Sequence, residues 1–582
     1  MSLTPYPLPF NAYGGLHMTS FPASSYPFGG RIPVAKLQIN QLPAEVLALI
    51  LIFVADVPAP QDYWTVHRTV AIWPKTWYRI LAVCKYWFSV ALDTTELWRI
   101  IQVQRSPAWL QLSLARSRDL PVYIFFHTSD AVEPAIPVLR AHAHRIRTLQ
   151  FIALSPNGAA PLAKALFHRM SFPILEDVGF DQYLDERTPV KSMPLSNRAL
   201  PSLRILRLSE TLLPWTTAGF SSLRVLEISE ITWLPADLEP SLSDFMRFLQ
   251  RFPRLERLAL KDMTIFPDTF NAASSLGDPK CPVVALPHLR NLDIRFPSSV
   301  DPRWTHAILT HLRLPRTVRL QIDLLITEDP GPWYPPWDEI DFPYIFPQDT
   351  TSLPLLQEAT SAWLTHYAMV RIGSTQEEGS LILRVYNTDK PDDGMSGHQG
   401  EDWGGIWIHE ERPCLRGFCT TFANAPLTAL HMRAPSCYDE TEEEPYLVIM
   451  RAFPTLQTLS LDYMCDPWFG NVGPLNTALL TPATPGDATR GPSSLLLPNL
   501  RDLRIMHILW YEDIVPEILE TLRARAQRGL FLSNLFLGIV HRKVTYEQGL
   551  SLHAADLQSL RQLVHGSVVY ANPDPEEPDQ EW

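Results

Sequence analysis

Cysteine is scarce in this chain, six in 582 residues, and only Cys414 and Cys419 stand close together. That is too few for a disulfide framework, and no second Cys or His pair sits at zinc-binding spacing. Cys84 therefore reads as a small buried apolar residue, and neither a metal nor another cofactor is expected. Long apolar runs are also missing. The longest, Val46 to Ala55, has ten residues, about half of the roughly 20 that a membrane-spanning helix needs. Residues 1–36 carry no basic start and no unbroken apolar stretch, so they read as a disordered lead-in, not a secretory signal.

Positive charge is in deficit, with 49 Lys and Arg against 62 Asp and Glu, a net charge of −13. A nucleic-acid backbone requires a basic face, which argues against nucleic acid as the main partner. Glu442 to Glu444 and the tail from 571 to 582 hold much of the acid and read as solvated loop and terminus. Catalytic signatures are absent too: there is no Gly-x-Ser-x-Gly elbow, phosphate loop, dinucleotide fingerprint or His-Glu-x-x-His helix. The acids, Ser and His between Asp392 and Gly405 lack a strand–turn–helix frame and read as a loop, with Trp403 and Trp407 capping the core. His142 and His144 have no acidic neighbours and read as solvated surface. No residue is assigned bond chemistry, and the chain is expected to be a non-enzyme.

What is present begins with proline, 54 residues, well above the average of about 5%, so loops and strand-ending turns should be many. A hydrophobic share of 46% and a charged share of 19% suit a folded chain with a large core. Near the start stand two apolar helical pieces. In LPAEVLALILIF, Leu42 to Phe53, Pro43 suits a first helical position and Glu45 complements the helix dipole. In LAVCKYWFSVALDTTELW, Leu81 to Trp98, the residues Val83, Trp87, Val90 and Ala91 recur at helical spacing before a Leu-Trp pair. Val57 to Trp77 lies between the pieces and reads as an inserted loop, because Pro58, Pro60 and Pro74 break helices.

Together the two pieces resemble an F-box, on Leu42-Pro43, Glu45, Leu47, Ile50, Val83-Cys84, Trp87 and Leu97-Trp98. The resemblance extends to the expanded F-box families of mushroom-forming fungi. It implies an all-α module over 38–101 that docks the adaptor subunit of a cullin–RING ubiquitin ligase. The adaptor-binding residues it implies are Leu42, Pro43, Leu47, Ile50, Val83, Cys84, Trp87 and Trp98.

Beyond Trp98 a phrase recurs, with apolar residues at its first, fourth and sixth positions. It reads Leu203-Leu206-Leu208, Leu223-Leu226-Ile228, Leu255-Leu258-Leu260, Leu289-Leu292-Ile294, Leu456-Leu459-Leu461 and Leu500-Leu503-Ile505. Weaker copies start at Ile146, Leu175, Leu309, Leu427 and Leu532. Alternation turns the last two apolar residues of each copy to one side of a strand. Ser241 can cap a helix with the stripe Leu242, Phe245, Met246 and Leu249, Asp244 taking the capping-box position. A spacing near 30 residues fits leucine-rich repeats. The expected fold is thus an α/β solenoid over 102–570: irregular, leucine-rich-repeat-like and right-handed, with loop insertions. Two further strands are read at Val318 to Ile326 and Ser380 to Tyr386.

The implied function is that of a non-catalytic, intracellular substrate receptor, cytoplasmic or nuclear, of an SCF-type ligase. Its solenoid would hold a protein target on strand residues facing away from the core: Arg207, Glu227, Lys261, Arg295 and Arg504. The alternative is an F-box scaffold acting outside the ligase.

Overall fold

The computed structural model describes residues 42–55, 81–103, 107–127, 132–154, 164–168, 170–182, 191–192, 195–214, 219–231, 241–263, 281–296, 303–326, 345–347, 352–364, 370–373, 380–387, 417–433, 444–463, 472–483, 495–509, 513–540 and 554–571. The lead-in, the 57–77 insertion, Cys414, the Asp392–Gly405 stretch with its tryptophans, and the acidic tail all lie outside the described residues. The chain divides into two compact units, Met1–Leu97 and Trp98–Trp582.

In the first unit, helix α1 (Ala44–Ala55) packs on helix α2 (Lys85–Asp93). Pro43 precedes α1, and its carbonyl accepts the Leu47 N–H at 3.0 Å, so it acts as the cap and not as the first helical residue. The Tyr86 hydroxyl donates to the Leu42 carbonyl at 2.7 Å, tying the start of α1 to α2. Thr94 closes α2 by donating both its hydroxyl, at 2.7 Å, and its N–H, at 3.0 Å, to the Val90 carbonyl.

The second unit is built on one large sheet, seventeen strands among the described residues. Its first part comprises β1 (Ile100–Val103), β2 (Val122–Phe126), β3 (Ile146–Leu154), β4 (Asp177–Gln182), β5 (Ile205–Ser209), β6 (Val225–Ser229), β7 (Arg257–Lys261), β8 (Asn291–Phe296) and β9 (Arg319–Ile326). Each of these nine pairs in parallel with its sequence neighbours. The order then breaks. Strand β10 (Ser361–Leu364) is followed by β11 (Val370–Gly373) and β12 (Ser380–Asn387), yet it is β12 that lies parallel beside β9. Strand β11 runs antiparallel between β12 and β10. From β10 the parallel order resumes through β13 (Ala429–Arg433), β14 (Thr458–Asp462), β15 (Asp502–Leu509), β16 (Leu532–Val540) and β17 (Val564–Ala571).

Parallel neighbours need a crossover, and helices supply many of them. They are α3 (Pro107–Arg116), α4 (Val132–His142), α5 (Leu242–Leu249), α6 (Arg303–Thr310), α7 (Glu444–Ala452), α8 (Gly473–Leu480), α9 (Ile514–Gln527) and α10 (Ala554–Leu563). The cap read from sequence is present on α5. The Ser241 Oγ accepts the Asp244 N–H at 3.1 Å, and all four stripe residues are buried.

Rows of apolar side chains run across the strands. Leu206, Leu226, Leu258, Leu292 and Leu320 are successive register partners, and all are buried. Burying each contributes about 1.5–3 kcal/mol. The neighbouring row, which runs through Leu208, is aromatic on β2, β3 and β4, where Phe126, Phe151 and Phe180 stack with centroids 5.5 and 4.9 Å apart.

The structure corrects the expected solenoid. It has an α/β fold with a large, mainly parallel sheet, and the described residues show no repeating solenoid unit. The leucine phrase and the α5 stripe are the ordinary demands of a parallel sheet covered by helices, so they identify strands without specifying a repeat. The connections differ in kind, and the antiparallel β11 interrupts the order. The copy starting at Leu309 lies in the last turn of α6, not at the start of a strand.

Candidate docking surfaces

On α1, Leu47 and Leu51 are one helical turn apart and both are buried. A second apolar face follows from Val46, Leu49 and Phe53, at helical spacings of three and four residues. Leu49 is 66% exposed and Phe53 83%. Val83, just ahead of α2, and Phe88 within it are exposed as well. Of the residues named from sequence, Pro43 and Val83 are exposed, while Leu42, Ile50, Cys84 and Trp87 are half-buried. Leu47 and Trp98 are buried; Trp98 falls in the second unit and lies 5.5 Å from the Trp109 ring. Sequence reading missed Val46, Leu49, Phe53 and Phe88. Because α1 is apolar on every side, periodicity could not separate its inner face from its outer one.

On the second unit, charged side chains form a ladder across β4 to β8. Arg207 Nη1 lies 2.8 Å from Asp177 Oδ1, and Arg207 Nε is 3.8 Å from Glu227 Oε2. Lys261 Nζ bridges Glu227 at 3.2 Å and Asp293 at 3.3 Å. Gln150 Nε2 adds a bond to Asp177 at 2.9 Å. Signs alternate from strand to strand, so each charge is flanked by its opposite at sheet spacing.

Burial pushes the Asp177 carboxyl above the ordinary range, opposed by Arg207 and by the Gln150 bond. Burial alone would lower the Lys261 ammonium, but Glu227 and Asp293 outweigh it and hold it above its usual value. Asp262, paired with Arg295 at 3.2 Å, is raised by burial against the pull of Arg295 and Lys261.

The ladder takes in three of the five strand residues named from sequence as a target face, Arg207, Glu227 and Lys261. Glu227 is buried, its side chain only 3% exposed, and Arg207 and Lys261 are half-buried and paired. Arg295 is exposed but holds Asp262. Arg504 alone of the five is exposed with no partner among the described residues; it helps burial to lower the His431 pKa. Strand alternation tells which side a residue faces, not how its neighbours neutralise it.

The chain matches no known family model and no curated protein.

A second charged row runs along the strand starts. The backbone N–H of Glu176 donates to the Arg147 carbonyl at 2.9 Å, that of Arg204 to Glu176 at 2.8 Å, and that of Arg224 to Arg204 at 2.7 Å. The row continues through Glu256, Arg290 and Arg319, each donating to the one before at 2.7 Å. It therefore spans seven consecutive strands with five arginines and two glutamates. Arg147 pairs with Glu176 at 2.9 Å and Arg224 with Glu256 at 3.1 Å. Arg290 and Arg319 are exposed and make no ion pair among the described residues. The signal for this row was legible in the sequence as the Arg following the first Leu of the phrase, in Leu203-Arg204, Leu223-Arg224 and Leu289-Arg290.

Two other arginines are structural clasps. Arg145 reaches Ser117 Oγ at 2.9 Å and the carbonyls of Leu114 and Leu120 at the end of α3. It also donates to His142 Nδ1 at 3.3 Å, so His142 is not free surface, and burial followed by Arg145 and His144 lowers its pKa. Arg525 donates to the carbonyls of Leu479, Leu496 and Leu497 at 3.0, 3.2 and 2.9 Å, and burial lowers it to about 10. Burial pushes the Cys419 thiol up to about 12, which keeps it an unreactive thiol. Among the described residues no group of three or more His, Cys, Asp and Glu could hold a metal, and no helix is long and apolar enough to cross a membrane.

Proposed function

We propose that this chain is the non-catalytic substrate-recognition subunit of a cullin–RING, SCF-type ubiquitin ligase. In this reading α1 and α2 dock the adaptor as an F-box does, and the sheet unit holds a protein target. The observation that carries it is the outward apolar face of α1, Val46, Leu49 and Phe53, joined by Val83 and Phe88. A short helix that spends large apolar side chains on solvent is a helix awaiting a partner. The motif residues flank that face: Pro43 caps α1, and Val83-Cys84 lead into α2. The receptor's contribution to rate is proximity, since a target tethered beside the charged ubiquitin carrier presents its lysines at high effective concentration.

The test is co-purification of the full chain with adaptor and cullin, for the natural sequence and for Leu49→Ala/Phe53→Ala. Buried aromatic anchors typically cost about 2 kcal/mol or more when truncated, so adaptor affinity should fall by more than about tenfold. Both side chains are exposed, so folding should be unaffected. Failure of the natural chain to capture any adaptor refutes the reading. Capture of adaptor without cullin points instead to a scaffold outside the ligase.

A further inference from the structure

We propose that the arginine row at the strand starts is the docking line for an extended, Asp/Glu-rich peptide segment of a protein target. This rests on the receptor reading for its purpose but on separate residues for its chemistry. The mid-strand charges are committed to one another, as the pairs from Asp177 to Asp293 show. At the strand starts the balance differs, because Arg290 and Arg319 are exposed without ion-pair partners among the described residues. Arg204 and Arg224 each have about half of their side-chain surface open, and Arg204 stands 3.9 Å from its nearest carboxylate.

This is a concentration of positive charge in a chain whose net charge is −13, and its complement is an anionic ligand. Adjacent strands lie about 4.8 Å apart, so the stretch from Arg204, just ahead of β5, to Arg319 at the start of β9 covers roughly 19 Å. An extended peptide rising about 3.3 Å per residue spans it with six residues, half of them on one side. Planar guanidinium forks at fixed spacing suit carboxylates, which they bind in bidentate fashion. A nucleic acid fits less well, because it needs a broad basic face, and this stretch offers one row of four arginines with Glu256 among them.

The experiment uses the full-length chain and fluorescent probes read by anisotropy. They are an eight-residue peptide alternating Glu and Gly, the same peptide with phosphoserine for Glu, a Lys/Gly control, and a single-stranded oligonucleotide. The Glu peptide should bind in a salt-sensitive manner, and the Lys control should not. Arg290→Glu/Arg319→Glu should weaken that binding at least tenfold with an unchanged circular dichroism spectrum and urea midpoint. Arg523→Glu, an exposed change on α9, should leave it intact. The proposal is overturned if the Glu peptide does not bind, or if the double reversal leaves its affinity unchanged. It is equally overturned if the phosphopeptide or the oligonucleotide binds more than tenfold tighter through the same arginines. Adaptor capture by the double variant is measured alongside. Lost peptide binding with retained adaptor places the defect in this row, and peptide binding without any adaptor capture refutes only the ligase reading.

Discussion

Glu227 is the most demanding test of the charge ladder. Its side chain is 3% exposed, between Lys261 at 3.2 Å and Arg207 at 3.8 Å. Removing one member of a buried pair typically costs about 3–5 kcal/mol, because the remaining charge stays desolvated. Here each orphaned cation keeps a second anion, Arg207 holding Asp177 at 2.8 Å and Lys261 holding Asp293 at 3.3 Å. The cost of Glu227→Ala should therefore fall to about 2–3 kcal/mol. Glu227→Gln keeps an acceptor for Lys261 and should cost about 1–2 kcal/mol. The assay is urea unfolding of the full chain, followed by tryptophan fluorescence and circular dichroism together to check that the transitions coincide. Urea is preferred to heating, since the shift in Tm per kcal/mol shrinks with chain length. A cycle with Lys261→Met should return a coupling of about 1 kcal/mol. If Glu227→Ala costs less than about 0.5 kcal/mol, as an exposed substitution does, the ladder has no more weight than a solvated surface row.

Four further outcomes are expected. Leu226→Ala or Leu258→Ala, at fully buried positions, should each cost about 2–5 kcal/mol in urea unfolding through lost transfer energy plus a cavity. Arg525→Met frees three buried carbonyls and should cost about 3 kcal/mol, with Arg525→Lys rescuing only part because it lacks the fork. The folded pKa values of Asp177 and Asp262 are raised above the ordinary 3.8 by burial. The folded state therefore binds more protons than the unfolded one in that window, and this contribution to stability is lost as pH rises through the folded values. Asp177→Asn/Asp262→Asn should flatten the corresponding fall of the urea midpoint as pH rises above 3.8. Lys261 is raised likewise, so its contribution should persist below its unfolded value and vanish only as alkaline pH passes its folded one, absent in Lys261→Met.

The strands were the legible part. Leu206, Leu226, Leu258 and Leu292 announce themselves by alternation, and they are buried register partners. The fold that joins them was not legible, because the same alternation serves any helix-covered parallel sheet. Nothing local says that Ser380–Asn387, not Ser361–Leu364, should lie beside Arg319–Ile326. The burial and pairing of Glu227 were not legible for a related reason: its partners Arg207 and Lys261 are 20 and 34 residues away in sequence. Arg525 looks like any helix arginine, and only the converging carbonyls of Leu479, Leu496 and Leu497 give it a task. On the first unit the opposite problem held. Every side of α1 is apolar, so Leu47 and Phe53 looked alike although one is buried and the other 83% exposed.

The reversed order at β10 to β12 has a kinetic consequence. Strands β1 to β9 each meet the preceding strand in the chain, so their contacts close short loops and can form progressively. The same holds from β13 to β17. Joining the two runs instead requires β12 to reach back past β10 and β11 to β9, a longer closure whose entropy must be met before any pairing compensates it. Folding should thus proceed as two growing sheets that fuse last at this seam. In pulse-labelled hydrogen exchange, amides of β9 and β12 should gain protection after those of β6 and β15.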